Sequence, residues 1–571
     1  MNNAALLPVA ERRAALEALH PTWEPALLHE VLDRAVERYA DRPFVLTDER
    51  GWTYRELQEW SQEIARGLLA TGVRPGEHVA LVMANFAEFV AVKYAISRVG
   101  ATCVPINFFN RTDELRYVLA QSDAVALVTM DRFRSLDYCA ALDAIAPGWE
   151  KGGGGAELPL LRQVVVFPTE GGPGREGATT LVDVVGLGVG TELPVRPVQP
   201  SATADILYTS GTTGSPKGVL LTHDMETRTA YGAAYSRAFE DGRRVLFSLP
   251  MYHVYGYVEG LLAVPFVGGA IIPQRTFDAR ATVAAVGRHR ATDLLLIPTM
   301  TLAVCDLLRA ESGHDLSSLG SVISSGSWAP PGIFETIREL MGDVEMTTGY
   351  GMSETTATTT MTEPGGPWDR LVGTNGSLRP AGVAGSPELG GALTEYRVVH
   401  QVTGAVLPPG EVGELQARGP GITAGYYRKP EESAAVFDAD GWFGSGDLGV
   451  FDADGFLVLV GRKKDLYRCG GEQVVPKEIE DVLLLHPAIA QAHVVPLRHD
   501  RMGEVGVAWV VFRPGLQASS EELATYSAER LARFKVPAHF RPLTAEEVPL
   551  TPSGRPRKFL LAARALQEIT G

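Results

Sequence analysis

The stretch ILYTSGTTGSPKGVLLTH, residues 206–223, holds a dense set of groups able to bind an anion. An apolar run enters a loop in which Thr209, Ser210, Gly211, Thr212, Thr213, Gly214 and Ser215 can turn backbone N–H groups and hydroxyls toward one phosphate, and Lys217 adds a mobile charge. Lys217 follows Pro216 and precedes Gly218, so no Ser or Thr stands ready for magnesium, and the Walker loop of kinases and GTPases is disfavoured. Other candidate groups are more ambiguous when read singly. Glu354 in YGMSETT offers a hard carboxylate of the kind that holds magnesium, or a surface cap. Asp447 in FGSGDLG reads as a hydroxyl acceptor or a turn aspartate. Arg462 reads as an anion contact or a surface ion pair, and His253 in MYHVYG as a gate or a core histidine.

Taken together and in order, the segments say more. The loop at 206–223 resembles the phosphate-loop signature of the adenylate-forming superfamily, which contains acyl-CoA synthetases, firefly luciferase and nonribosomal adenylation domains. ANFAEFVAVKYAISRVGATCVPIN (84–107), LPMYHVYG (249–256), SSGSWAP (324–330), TTGYGMSETT (347–356), DGWFGSGDLG (440–449) and GRKKDLYRCGGEQVVPKEIE (461–480) resemble further segments of that family, in the family's order. The resemblance implies a set of roles. Thr209, Ser210, Gly211, Thr212, Thr213 and Lys217 hold the phosphates; Tyr350 offers a face to adenine, with Gly326 and Ser327 on its other side; Thr355 donates to the α-phosphate. Asp447 accepts the ribose hydroxyls, Arg462 meets the same nucleotide, Glu354 holds Mg2+, and His253 gates the carboxylate side. Residues 1–461 form the N-terminal domain and 462–571 a small C-terminal lid that swings about Lys464. In one position the lid completes adenylation of a carboxylic acid by ATP; in the other the Gly470 and Gly471 loop lines the tunnel for coenzyme A, whose thiol takes the acyl group and releases AMP. Cys469 in that loop is read as a small apolar filler.

The tail, PLTPSGRPRKFL (549–560), departs from the family. The resemblance implies a catalytic lysine immediately after Gly554, where its ammonium bridges the incoming carboxylate and the α-phosphate. Here the position is Arg555. A forked, planar guanidinium does not replace a compact ammonium between two anions, and loss of one preorganised contact of this kind costs roughly two to three orders of magnitude in rate. Lys558 could take over only if the loop re-registers. The expectation is a ligase that thioesterifies a ready-made acyl-adenylate, supplied by a separate adenylating ligase, and makes the adenylate itself weakly or not at all. Competing readings are an ordinary two-step synthetase, a luciferase-like oxygenase and, from another class, a non-catalytic sensor of acyl or adenylate ligands. Intact Asp447, Arg462, Gly470 and Gly471 argue against the sensor.

Stepping outward to the elements that carry these groups, residues 78–107 read as strand, amphipathic helix ending near Gly100, and strand, hence a βαβ unit and parallel sheet. Apolar runs at 204–210, 243–250, 268–273 and 293–299 alternate with helical stretches, so the first 400 residues are mainly α/β. Glycine-rich 151–157 and 169–177 read as surface loops. After about residue 375 short strands imply a β-rich subdomain, and beyond 461 a compact α+β pattern begins, with Pro476 in the first turn of a helix and strands near 489–496 and 505–513. A chain of 571 residues with 45% hydrophobic and 21% charged residues is long enough for several cores. Its net charge of -16 argues against a broad grip on nucleic acid or anionic membrane, so an anionic ligand must meet a local cluster of donors. Scattered Cys103, Cys139, Cys305 and Cys469 read as free thiols, and no run is apolar and long enough for a membrane span; the expected location is the cytoplasm.

The acyl pocket is expected from YHVYGYVEGLLAVPF (252–266), with Tyr255 and Val258, and from Gly349 and Met352; its apolar, aromatic character suits a bulky hydrophobic carboxylic acid. No acidic anchor for an α-ammonium is evident. His486, His493 and His499 lack zinc-site spacing and are read as structural. The Ala, Arg and Gly-rich look of the chain also resembles ligases of natural-product pathways such as those of platensimycin and platencin.

Overall fold

A computed structural model describes residues 6–169, 174–209, 215–327, 329–551 and 556–570. The expected α/β class holds: a large N-terminal domain of parallel sheets, helices and a β-rich part precedes a small α+β C-terminal domain. One seven-stranded sheet runs from Glu345–Thr347 through Ser321–Ser324, Asp293–Leu296, Arg244–Phe247, Ala270–Pro273 and Pro43–Leu46 to Gly51–Thr53. Only the last pair is antiparallel. A second runs from Lys217–Thr222 through Thr203–Thr209, Thr102–Pro105, His78–Val82, Ala124–Met130 and Gln163–Phe167 to Thr179–Thr180, seven strands in all. Its strand pairs are parallel except for the hairpin Thr203–Thr209 with Lys217–Thr222.

The βαβ reading of 78–107 is met: His78–Val82 and Thr102–Pro105 pair in parallel, and the helix Ala87–Val99 ends on left-handed Gly100 at φ 77°. That helix is not amphipathic in place. Nearly every residue on it is buried, because it packs on the helix Tyr54–Ala70 as well as on the sheet. Its polar residues are therefore paired inside the protein. Lys93 contacts Asp205, Ser97 Oγ meets His29 Nδ1 at 2.9 Å, and Arg98 is bound to Asp33. Asp205 lies on the strand that delivers Thr209 to the phosphate loop, so the Lys93 ion pair pins that strand from beneath. Glu226 joins the cluster, accepting from the Tyr257 hydroxyl at 3.3 Å; burial, with the Asp205 charge added, pushes its carboxyl well above the ordinary range.

The β-rich part is a four-stranded antiparallel sheet of Glu395–Val399, Gly413–Arg418, Phe443–Phe451 and Leu457–Arg462. A separate small sheet joins Gly349–Met352, Ala357–Met361 and Ser377–Leu378. The C-terminal domain has its own core, assembled from residues between Tyr467 and Ala565. Within it, Ile489–His499 and Gly503–Phe512 form the long hairpin, and the helix Pro476–Leu484 starts on its proline. The four cysteines are free and buried. Among the described residues no helix is long and apolar enough to cross a membrane.

Two buried histidines couple this packing to pH. Burial lowers His29 to about 4 and His223 to about 3 from an ordinary 6.5. Below pH 6.5 the unfolded chain takes up protons that the folded chain refuses, so their contribution is complete above that pH and is lost as pH falls from 6.5 toward 4. Each histidine adds a slope of up to about 1.4 kcal/mol per pH unit. The urea midpoint is expected to fall between pH 7.5 and 5, and His223→Gln to flatten that fall; an unchanged slope would show that His223 does not resist protonation in the fold.

Candidate active site

The polar groups expected to bind nucleotide converge where the phosphate-loop hairpin, the Gly349–Met352 sheet and the four-stranded sheet meet. Ser210, Gly211, Thr212 and Thr213, with Gly214, lie outside the described residues, as does Arg555. The flanks of the loop are firm. Thr209 pairs with Lys217 across the hairpin, and the Tyr117 hydroxyl donates to Pro216 O at 3.0 Å.

Lys217 points its ammonium at the ring of Tyr426, 4.9 Å from the centroid. The same tyrosine donates from its hydroxyl to Glu354 Oε1 at 3.1 Å. One aromatic side chain thus lies between the loop lysine and the carboxylate expected to hold a metal. Its segment is stitched to both: Leu220 N–H donates to Gly425 O at 3.1 Å, Tyr427 N–H to Gly218 O at 2.8 Å, and Thr423 N–H to Glu354 O at 2.8 Å. Tyr426 and Thr423 were not among the residues the sequence singled out. The local signal was an aromatic pair after Ala-Gly, in GITAGYY, which by itself reads only as β texture.

Glu354 sits in the 3-10 turn Ser353–Thr355 and is buried. Burial raises its carboxyl above the usual range, while the Tyr426 hydroxyl and the Arg462 charge oppose the shift. The turn ends on Thr356 at φ 63°, a left-handed position unusual for a β-branched residue. Its hydroxyl is held by Gly421 O at 2.8 Å, so the surrounding structure fixes the strained backbone. Thr355, expected to donate to the α-phosphate, is placed differently. It is 1% exposed, and its hydroxyl lies 3.1 Å from Met352 O and 3.0 Å from Ala357 O. The left-handed bend folds these two carbonyls toward it, so the hydroxyl braces the turn.

Tyr350 and Asp447 come together as expected for one nucleotide site. The Tyr350 hydroxyl donates to Asp447 Oδ2 at 2.8 Å, and Arg462 Nε meets Asp447 Oδ1 at 2.9 Å. Asp447 and Arg462 are cross-strand partners in the four-stranded sheet. Asp447 raises the Arg462 guanidinium above its ordinary pKa, while burial, with Asp447 added, drives the Tyr350 phenol well up. Facing them is the bend after Ser321–Ser324. Ser325 Oγ donates to Gly349 O at 2.7 Å and accepts from Gly349 N–H at 3.2 Å, which ties the bend carrying Gly326 and Ser327 to the strand that holds Tyr350. Gly326 is left-handed at φ 88°, and a Cβ there would come within 3.3 Å of Ile297 and 3.4 Å of the Tyr255 ring.

The wall expected to hold the acyl group folds as three short helical turns: Val254–Gly256, a π turn Tyr257–Leu261 and Val264–Val267. His253 caps the first, its Nδ1 accepting from Tyr255 N–H at 3.3 Å. Buried Glu259 locks the second, bound by Arg379 at 2.5 Å and by Thr358 N–H at 3.2 Å. Tyr255 anchors to Leu296 O at 3.1 Å. Val258, expected in the lining, is 0% exposed and packs in the main core, because the π turn carries it inward. Gly349 is required by the sheet: a Cβ there would lie 2.2 Å from Thr360 O. Met352 keeps surface and sits with its sulfur 3.9 Å from the Tyr350 hydroxyl.

In the C-terminal domain Lys464 lies in the turn Lys463–Asp465, between the end of the four-stranded sheet and the start of the C-terminal core. Gly470 and Gly471 are left-handed at φ 63° and 90°, and Gly470 N–H donates to Met502 O at 2.8 Å. Cys469 is buried, which pushes its thiol up. Lys558, in the first turn of the helix Lys558–Thr570, is paired with Glu480 Oε1 at 2.6 Å. The same oxygen accepts from Val494 N–H at 2.7 Å. Among the described residues no group of three or more His, Cys, Asp or Glu side chains could hold a metal ion. The donor set at Glu354, one carboxylate facing a phosphate loop, fits Mg2+ carried between nucleotide phosphates, because that ion is usually held by one or two carboxylates plus substrate oxygens.

Comparison with known proteins agrees with this arrangement. Residues 32–427 match the AMP-binding enzyme family and residues 478–555 match the AMP-binding enzyme C-terminal domain. A Mycobacterium tuberculosis CoA ligase, whose named acyl group is a propanoyl chain on a methyl-dioxo-octahydroindenyl bicycle, is 33% identical over 89% of this chain and 94% of its own. The mitochondrial medium-chain acyl-CoA ligase ACSF2 of Danio rerio is 30% identical over 96% of this chain and 90% of its own. Among solved structures, the Bacillus subtilis o-succinylbenzoate CoA synthetase MenE in complex with its acyl-adenylate intermediate superposes with a TM-score of 0.76 at 26% identity, covering 93% of this chain and 97% of that one. With the site geometry and two family matches spanning both domains, the chain belongs to the AMP-binding enzymes and is an acid–thiol ligase of the adenylate-forming superfamily.

Proposed function

We propose that this enzyme chiefly converts the acyl-adenylate of a bulky hydrophobic carboxylic acid into its coenzyme A thioester, and that its own adenylation step is weak. The observation that carries the reading is the pairing of Lys558 with Glu480. With Arg555 standing after Gly554, Lys558 is the nearest lysine on the tail, and its ammonium is committed to a largely buried carboxylate that also accepts from Val494. Freeing it would leave Glu480 unpaired in the domain interior, at a cost of several kcal/mol. The described part of the tail thus offers no uncommitted ammonium for the carboxylate and the α-phosphate.

The thioester step asks for other groups. Asp447 and Tyr350 hold the adenosine part, Arg462 meets it from the edge of the sheet, and Lys217 faces the phosphate. The thiol sulfur attacks the acyl carbon, the bond from that carbon to the phosphate oxygen breaks, AMP leaves with the electron pair, and the thiol proton passes to solvent. Gly470 and Gly471 give the pantetheine arm a path without side chains. The boundary lies near residue 461, and the turn at Lys464, set between two separate cores, is the hinge. Mg2+, when bound with ATP, would supply charge neutralisation between phosphates, and Glu354 is the residue that would hold it. The similarity to ligases of a medium-chain acyl group and of a bicyclic propanoyl group, together with aromatic Tyr252 and Tyr255, supports a bulky apolar acid. A separate adenylating enzyme would supply the adenylate.

Two assays separate the half-reactions. With decanoic and aryl acids, ATP–pyrophosphate exchange is expected roughly two to three orders of magnitude below the rate of thioester formation from the matching synthetic adenylates. Arg555→Lys is expected to raise exchange without raising thioesterification. Exchange by the wild type as fast as its thioesterification would reduce the enzyme to an ordinary two-step synthetase. Tyr426→Phe keeps the ring under Lys217 but removes the donor to Glu354, and is expected to weaken MgATP binding about tenfold or more while leaving metal-free AMP binding alone. Equal losses for both ligands in calorimetry would place Glu354 away from the metal.

A further inference from the structure

The tail carries a third cation, Arg557, to which no role has been given. Its backbone is fixed: Leu550 and Pro556 form an antiparallel bridge, Arg557 N–H donates to Pro549 O at 2.7 Å, and Arg557 O accepts from Leu560 N–H at 3.0 Å. The side chain leaves this closed turn at its base, one residue before the anchored Lys558. Its Nε is buried, and among the described residues it has no hydrogen-bond partner.

Across the domain boundary stands Tyr252, in the MYHVYG segment one residue before His253. It is 8% exposed, its ring meets Phe108 edge-on at 5.3 Å, and its hydroxyl is also buried and, among the described residues, without a partner. The two groups are within electrostatic reach. Burial pushes the phenol well up, and the Arg557 charge is the one influence that pulls it back. Two donors, the Arg557 Nε–H and the Tyr252 O–H, are therefore withdrawn from water with no acceptor supplied among the described residues. Leaving one such group unmet costs about 1–3 kcal/mol, more for a charged one, so the arrangement is complete only when an acceptor oxygen enters.

We propose that Arg557, with the Tyr252 hydroxyl, binds the anionic oxygens of the reactant at the junction of acyl group and phosphate, and so is the cation by which the tail grips an acyl-adenylate. This rests on the ligase reading above and adds a ligand contact to it. A planar guanidinium suits the task, since a phosphate or carboxylate can be held by two parallel N–H donors. It also gives the tail a purpose in an enzyme that receives its adenylate ready-made, because holding an anion needs no slender ammonium between two reactants.

The test is binding without turnover. Decanoyl-sulfamoyladenosine, an anionic and non-transferable mimic of the adenylate, and neutral adenosine are titrated calorimetrically into the full-length enzyme, wild type, Arg557→Gln and Arg557→Lys. Arg557→Gln is expected to weaken the anionic mimic about tenfold or more and leave adenosine unchanged; Arg557→Lys, keeping the charge, is expected to lose less. A mimic bound by Arg557→Gln as tightly as by the wild type would overturn the proposal. So would an equal loss for both ligands, which would make Arg557 a docking residue of the lid. Fast pyrophosphate exchange, which would overturn the function proposed above, leaves this measurement intact.

Discussion

The site depends on one carboxylate held between two sheets. Asp447 belongs to the four-stranded sheet and takes one donor, Arg462, from its own cross-strand neighbour; the other, the Tyr350 hydroxyl, comes from the small sheet that also carries Gly349 and Met352. Removing either donor would leave a buried charge half-paired, a far larger cost than the net value of an exposed ion pair. The two sheets are therefore fixed to one another where the ribose and base of a nucleotide are expected. The glycine at 326 reaches the same place from the parallel sheet through Ser325.

A second set of buried charges acts from beneath. Lys93 and Asp205 hold the strand that feeds the phosphate loop, and Glu226, its carboxyl pushed up by burial, ties that pair to Tyr257 in the π turn of the acyl wall. Arg379 and Glu259 do the same for the next residues of that wall. Buried ion pairs contribute little net stability compared with well-packed apolar groups. Their effect here is geometric: phosphate loop and acyl wall, on different sheets, are referred to one polar cluster. Among the described residues, then, the floor of the site is over-determined. The C-terminal domain has its own core, and the turn Lys463–Asp465 precedes it.

The tail brings these themes together, since its two described cations, one residue apart, meet different environments. Arg555, where the family resemblance of the sequence implies a lysine, lies outside the described residues. Arg557 keeps a buried Nε without a partner among the described residues, and Lys558 closes an ion pair with Glu480. Equal formal charge has no single chemical meaning here. Desolvation and the presence or absence of a nearby carboxylate decide whether each cation serves structure or ligand.

The sequence by itself determined the family and the order of the parts. The glycine and hydroxyl run before Lys217, the tyrosine and glutamate of YGMSETT and the aspartate of GSGDLG are local signals, because each needs only neighbours within a few residues to be recognisable. The parallel sheets and the start of a helix at Pro476 were equally legible, being matters of periodicity and backbone constraint. Tertiary structure alone decided which donors those residues meet. Tyr426 reaches Glu354 from 72 residues away, and Tyr350 reaches Asp447 from 97, and no local pattern encodes such pairings. The same holds for the full burial of the helix Ala87–Val99, for the hydroxyl of Thr355 turned onto its own backbone, and for Val258 carried into the core. Periodicity and spacing describe what one segment can do in isolation, whereas burial and partner choice depend on which distant surfaces the fold presses against it.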